Sequence, residues 1–237
     1  MRWLTLLFCL IGTPVLAQRI PVDLELVLAV DGSASVDHEE FLLQMGGIAN
    51  AFRDRQIVDT ITQGEHGQVA VTLMIWSGKD APVAGVDWQL VYDGTSSLRF
   101  AAAIRDMYRP VRPGATAINF AIREALKSIE ANDFDGTRKI IDLSGDGMEN
   151  NAVDALSPAD IGRREAMASG VTINGLPIMT DDPNLQDYFR DVVVGGPGAF
   201  MMPALNYDDF GRAIREKLLK EIRSEPLIGA AGGSPNG

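Results

Sequence analysis

Four short apolar runs constrain the fold more than any other feature: "LELVLAV" at 24–30, "VAVTLMIW" at 69–76, "RKIIDLS" at 138–144 and "VTINGLPI" at 171–178. Each has the length of a strand and is apolar with little alternation, the pattern of strands covered on both faces. "VDWQLVYD" at 86–93 alternates better and reads as an edge strand. Between these runs the period changes to that of a helix. Phe41, Met45, Ile48 and Phe52 recur at helical spacing behind Asp37 and Glu40, which resemble a capping box. A second helix begins near Thr116 and stacks Ile118, Ile122, Ala125 and Ile129. A third runs from about 208 to 222, with acids at its start and Arg215, Lys217, Lys220 and Arg223 toward its end, as the helix dipole favours. Strands alternating with helices predict an α/β fold with a doubly wound, mostly parallel sheet.

The 237 residues, 46% hydrophobic and 22% charged, suffice for one full-sized core. The first 17 read as a secretory signal peptide: Arg2, an apolar run from Trp3 to Ile11, the breakers Gly12 and Pro14, then small residues Val15 and Ala17 at a cleavage-like site. The run is well short of the roughly 20 residues that span a bilayer, which argues against an uncleaved anchor. Residues 18–224 then form the domain, and 225–237, without periodicity, a flexible tail. A periplasmic or secreted location is expected. The only cysteine, Cys9, leaves with the signal, so disulfides are excluded. The formal net charge of −11 becomes −12 when Arg2 departs with that peptide. So acidic a chain is a poor candidate for nucleic acid or anionic membrane surfaces, and the charge is read as an aid to solubility.

In open α/β sheets ligands bind beyond the carboxyl ends of the strands, where strand order reverses. Three stretches are expected to meet at that edge. In "DGSAS", Asp31, Ser33 and Ser35 stand two residues apart and leave one side of an extended backbone. In "RPGATAI", Thr116 opens a helix just after Gly114. In "LSGDGMEN", Asp146 follows a strand between two glycines that let the chain turn sharply. Together they offer three hydroxyls and two carboxylates. Oxygen ligands without His or Cys suit a hard cation, Mg²⁺, Mn²⁺ or Ca²⁺, rather than zinc or copper.

"DGSAS" after an apolar strand, a later "GAT" entering a helix and "GDG" after another strand resemble the metal-ion-dependent adhesion site (MIDAS) of von Willebrand factor type A (vWA) domains. The resemblance covers roughly 22–223. With "WSG" after the second core strand, it is similar to a group of uncharacterised exported bacterial proteins of that superfamily. The resemblance implies a Rossmann-like sheet with one antiparallel edge strand. It also implies direct metal ligation by Ser33, Ser35 and Thr116, with Asp31 and Asp146 acting directly or through water, and Mg²⁺ as the first candidate. An acidic side chain of a protein partner then completes the coordination. One position departs: Gly145 precedes Asp146 where the family commonly has Thr-Asp-Gly, so a hydroxyl is missing. Asp142, in mid-strand, sits too deep to replace Asp146.

The function expected is therefore a metal-dependent protein-binding domain, monomeric, without membrane insertion and without catalytic residues. The alternatives are a metal-assisted hydrolase using Asp31 and Asp146, and a fold whose site is structural or inactive. No Gly-x-Ser-x-Gly elbow, P-loop or Gly-x-Gly-x-x-Gly occurs. His38 and His66 stand alone and read as surface residues. Glu149, Asn150 and Asn151 read as a solvated loop, Trp76 and Trp88 as core and edge packing, and Met201 and Met202 as core filler.

Overall fold

A computed structural model describes residues 18–79, 83–110, 112–150, 160–180 and 182–223. Both the proposed signal peptide and the proposed tail lie outside the described residues. The four apolar runs all form strands: β2 (Leu24–Asp31), β3 (Val69–Trp76), β6 (Lys139–Gly145) and β7 (Thr172–Pro177). The alternating run forms β4 (Ala84–Val91). They assemble in the order β4-β3-β2-β6-β7, with β4 antiparallel to β3 and every other pairing parallel. Every residue of β2 and β3 is buried, as their lack of alternation requires. A small parallel pair, β1 (Ile20–Val22) with β5 (Phe134–Gly136), stands apart from this sheet.

Helices cover both faces. On one, α1 (His38–Ala51), α2 (Arg55–Thr62), α3 (Gly94–Arg105) and α7 (Tyr207–Arg223) pack against Leu24, Leu26, Leu28 and Val30 of β2. On the other, α4 (Ile118–Ala131), α5 (Asp160–Ala168) and α6 (Leu185–Tyr188), which continues into a π-helical turn at Phe189–Val193, pack against Val27 and Ala29. Alternate residues of one strand thus feed two cores.

The helix starts follow their sequence signals. Asp37 and Glu40 form a reciprocal capping box on α1, with Glu40 N–H donating to Asp37 Oδ1 at 2.8 Å and Asp37 N–H to Glu40 Oε2 at 2.7 Å. The stack Ile118, Ile122, Ala125 and Ile129 is buried on α4. On α7, Lys217, one of the cations read as favoured by the helix dipole, has a further role that the sequence did not show. Its side chain is fully buried, with Nζ 2.6 Å from both Asp142 Oδ1 and Glu221 Oε1. Asn174 Nδ2 donates to the same Glu221 oxygen at 2.8 Å. Burial, and then the nearby Asp142, push the Glu221 carboxyl up to about 8 against the opposing pull of Lys217.

Topology places the site. The chain leaves β2 to build β3 and β4 on one side, then crosses to β6 and β7 on the other. The switch falls beside β2, whose last residue is Asp31, and next to it β6 ends at Gly145.

Candidate metal centre

Asp31 closes β2 and is fully buried. Its Oδ1 accepts the Ser33 N–H at 2.7 Å, which starts a turn closed by Val36 N–H to the Ser33 carbonyl at 3.3 Å. The backbone therefore does not stay extended through Ser35, as the spacing alone suggested. The turn still brings the Ser33 and Ser35 hydroxyls 3.1 Å apart. Ser35 Oγ donates to Asp146 Oδ1 at 2.7 Å, joining the first loop to the one after β6.

Thr116 lies in the approach to α4, two residues before its first turn. Its Oγ1 is 3.4 Å from where a Cβ would stand at Gly147, next to Asp146. Around Asp146 the glycines work through space rather than through left-handed backbone, since neither Gly145 nor Gly147 has positive φ. A Cβ on Gly145 would stand 3.0 Å from Asp31 Oδ2. The "WSG" stretch is a floor for the Thr116 loop. A Cβ on Gly114 would stand 3.1 Å from Ser77 Oγ, and one on Gly78 would stand 3.3 Å from Ala115 N. Ala34 N–H donates to the Gly114 carbonyl at 2.9 Å, so this loop and the first are bonded directly. All five residues singled out in the sequence thus converge at one sheet edge.

The electrostatics of this edge are unbalanced. Asp31 Oδ2 is buried and has no hydrogen-bond partner among the described residues. Burial, and then the Asp146 carboxylate, push the Asp31 carboxyl up to about 7, against the Ser33 hydrogen bonds and the Arg109 charge. Among the described residues no three His, Cys, Asp or Glu side chains gather as a metal cluster. What gathers is two carboxylates and three hydroxyls. An orphaned buried oxygen within such an all-oxygen set fits a hard divalent cation, whose charge favours the ionised carboxylates.

Four residues around the site were not legible as partners in the sequence. Arg109 donates to the Gly32, Ser33 and Val36 carbonyls. The buried Tyr207 phenol, at the start of α7, donates to Asp146 Oδ2 at 3.0 Å. Burial and the two site aspartates hold that phenol far above its ordinary range, so it stays a donor. Glu149 and Asn150 stand in a loop, half-buried and exposed, but both bond the entry to α4: the first-turn Asn119 N–H donates to Glu149 Oε2 at 2.8 Å, and Thr116 N–H, just before the helix, to Asn150 Oδ1 at 2.7 Å. Asn151 lies outside the described residues. Asp142 is ruled out as a substitute for Asp146, because Lys217 holds it deeper along β6. His38 and His66 are exposed, Trp76 is buried in the core, and Trp88 donates from the edge strand to Ser128. Met201 and Met202 are half-buried.

The fold is that of vWA domains. The chain belongs to the family described as proteins of unknown function, DUF1194, whose model matches residues 21–226. No curated protein matches the chain by sequence. Among solved structures it is similar to the pilus adhesin SpaC of Lactobacillus rhamnosus GG, with a TM-score of 0.62 at 16% identity over 86% of this chain and 31% of that one. It is similar to the vWF domain of the type V pili tip protein Mfa5 of Porphyromonas gingivalis, with a TM-score of 0.56 at 11% identity over 89% and 99% of the two chains. It is also similar to proximal thread matrix protein 1 of the mussel byssus, in a structure described as having a zinc-occupied MIDAS motif. That match has a TM-score of 0.54 at 14% identity, over 87% of this chain and 48% of that one. The chain thus spans under a third of SpaC and about half of the byssus protein.

Proposed function

We propose that this chain takes up a divalent cation at Asp31, Ser33, Ser35, Thr116 and Asp146, and uses the loaded site to bind a protein partner through an acidic side chain. Mg²⁺ is the first candidate, with Mn²⁺ or Ca²⁺ next. The observation that carries the reading is the buried, unpartnered Asp31 Oδ2 beside a second carboxylate and three hydroxyls. Three neutral oxygens leave the cation's charge less cancelled than a cage of carboxylates would. When bound, the cation supplies an electrophilic centre for a carboxylate oxygen. The partner's approach must be guided locally, because a net charge of −11 opposes long-range attraction of an acidic surface. The adhesin and pilus-tip neighbours support a binding role by analogy of fold.

Calorimetric titration of metal-free protein with Mg²⁺, Mn²⁺ and Zn²⁺ tests the site, zinc being included because the byssus structure is described with it. Wild type is expected to bind one cation. Asp31→Asn is expected to lose binding while its melting temperature in chelator stays within about 5 °C of wild type. Wild-type protein that binds none of the three overturns the reading. A partner captured from envelope extract is expected to release in chelator, and to bind Thr116→Ala about tenfold more weakly than wild type. Export belongs to the same proposal: mass spectrometry of protein from its native host is expected to show a terminus near Gln18, and an intact Met1 would refute this. The hydrolase reading has less support. Arg109, the guanidinium on the ligand loop, has both Nη atoms on backbone carbonyls rather than held toward a substrate. Among the described residues no helix is long and apolar enough to cross a membrane.

A further inference from the structure

We infer that Arg109 is the positioning residue of the candidate metal centre: its guanidinium sets the curvature of the Asp31–Ser35 loop and thereby the affinity for the cation. The inference rests on the reading of that loop as cation-binding. Arg109 lies in the irregular segment between α3 and α4, the same segment that carries Gly114 and Thr116. It is half-buried, with Nη2 2.6 Å from the carbonyls of both Gly32 and Ser33, and Nη1 2.7 Å from that of Val36. One planar group thus takes three carbonyl oxygens from five consecutive residues. These are acceptors that neither β2 nor α1 can use, because β2 ends at Asp31 and α1 begins at His38.

The consequence is geometric. Three short charge-assisted bonds leave the turn little freedom, so the Ser33 and Ser35 hydroxyls stay 3.1 Å apart and Ser35 stays on Asp146. Together with Ala34 N–H on the Gly114 carbonyl, the guanidinium also fixes the first loop to the segment that carries Thr116. Outer partners that orient ligands in this way commonly change metal affinity by about 10- to 100-fold when removed.

Charge and geometry make opposite predictions here. A positive charge behind the loop repels a cation, so by Coulomb's law alone its removal tightens metal binding. Loss of positioning loosens it. Arg109→Lys keeps the charge but replaces the planar fork with a single ammonium unable to reproduce the three-carbonyl geometry, and Arg109→Gln removes the charge as well. Both variants are titrated with Mn²⁺ by calorimetry and melted in chelator, and amide exchange of Ser33, Ala34 and Val36 is followed in the metal-free state. Positioning predicts an Mn²⁺ affinity reduced about tenfold or more in both variants, faster exchange at these amides, and a melt in chelator within about 5 °C of wild type. Wild-type affinity in Arg109→Lys, or tighter binding in Arg109→Gln, overturns the inference. Loss of the fold in both variants also overturns it, making Arg109 a general structural residue. If the wild type takes up no cation, the metal reading itself has failed, and that result is distinct from either variant's behaviour.

Discussion

Tyr207 shows how far the residues of this site are drawn together from. Gly145 stands where the resembled domains commonly have a threonine, yet the carboxylate beside it does not lack a hydroxyl, because the Tyr207 phenol reaches Asp146 from α7 at 3.0 Å. A hydrogen bond to a buried carboxylate contributes about 1.5–3 kcal/mol. Tyr207→Phe is therefore expected to lower the melting temperature by roughly 3–10 °C and to weaken Mn²⁺ uptake, both read on one preparation; a variant that melts and titrates like wild type would show that the bond contributes nothing. The five ligand candidates were legible because each follows a strand or opens a helix with a short oxygen side chain. Their supports were not. Arg109 and Tyr207 carry no local mark of what they touch, since their partners lie on loops distant in sequence. The bonds of Glu149 and Asn150 were hidden because the groups they accept from stand at the entry to a helix about 30 positions earlier.

At the scale of elements, strands and long helices were readable because burial on both faces or on one face writes a period into the chain. The shorter helices and the β1–β5 pair carry little such signal. The buried end of α7 defeats a local reading for another reason. Lys217 looks like every other cation near a helix terminus, and only the packing of α7 on β6 reveals Asp142 beneath it. Breaking a buried ion pair from one side typically costs about 3–5 kcal/mol, because the remaining charges lose their partner. Lys217→Met is expected to melt roughly 6–20 °C below wild type. A change of under about 2 °C would show that water or a proton relieves Asp142 without the lysine. Tyr207 bonds Asp146 just past the end of β6 and Lys217 pairs with Asp142 in mid-strand, so α7 is fastened along that strand at two points.

For the whole molecule the same cluster sets a pH dependence. The Glu221 carboxyl, pushed up to about 8, holds a proton in the fold that the unfolded chain releases above about 4.5. Its stabilising contribution is complete below the lower value and is lost as pH rises through the higher one. Melting temperatures in chelator are expected to fall between about pH 5 and 8.5, and to fall less in Glu221→Gln. Asp31 titrates in both proteins, so the difference between the two slopes isolates Glu221, and parallel slopes would refute the assignment. The central strand has a further consequence, in the order of events by which the chain acquires its shape. β2 pairs with β3 early in the sequence and with β6 only much later, and Ser35 lies 111 positions from the Asp146 it bonds. The pocket of oxygens cannot exist until β6 has docked, the kind of distant pairing that slows folding. On this ordering an ion held there is expected to arrive after the rate-limiting step. Stopped-flow refolding is therefore expected to proceed at the same rate with and without Mn²⁺, while unfolding slows in its presence. Acceleration of refolding by the ion would place the closing of that edge before the barrier instead of after it.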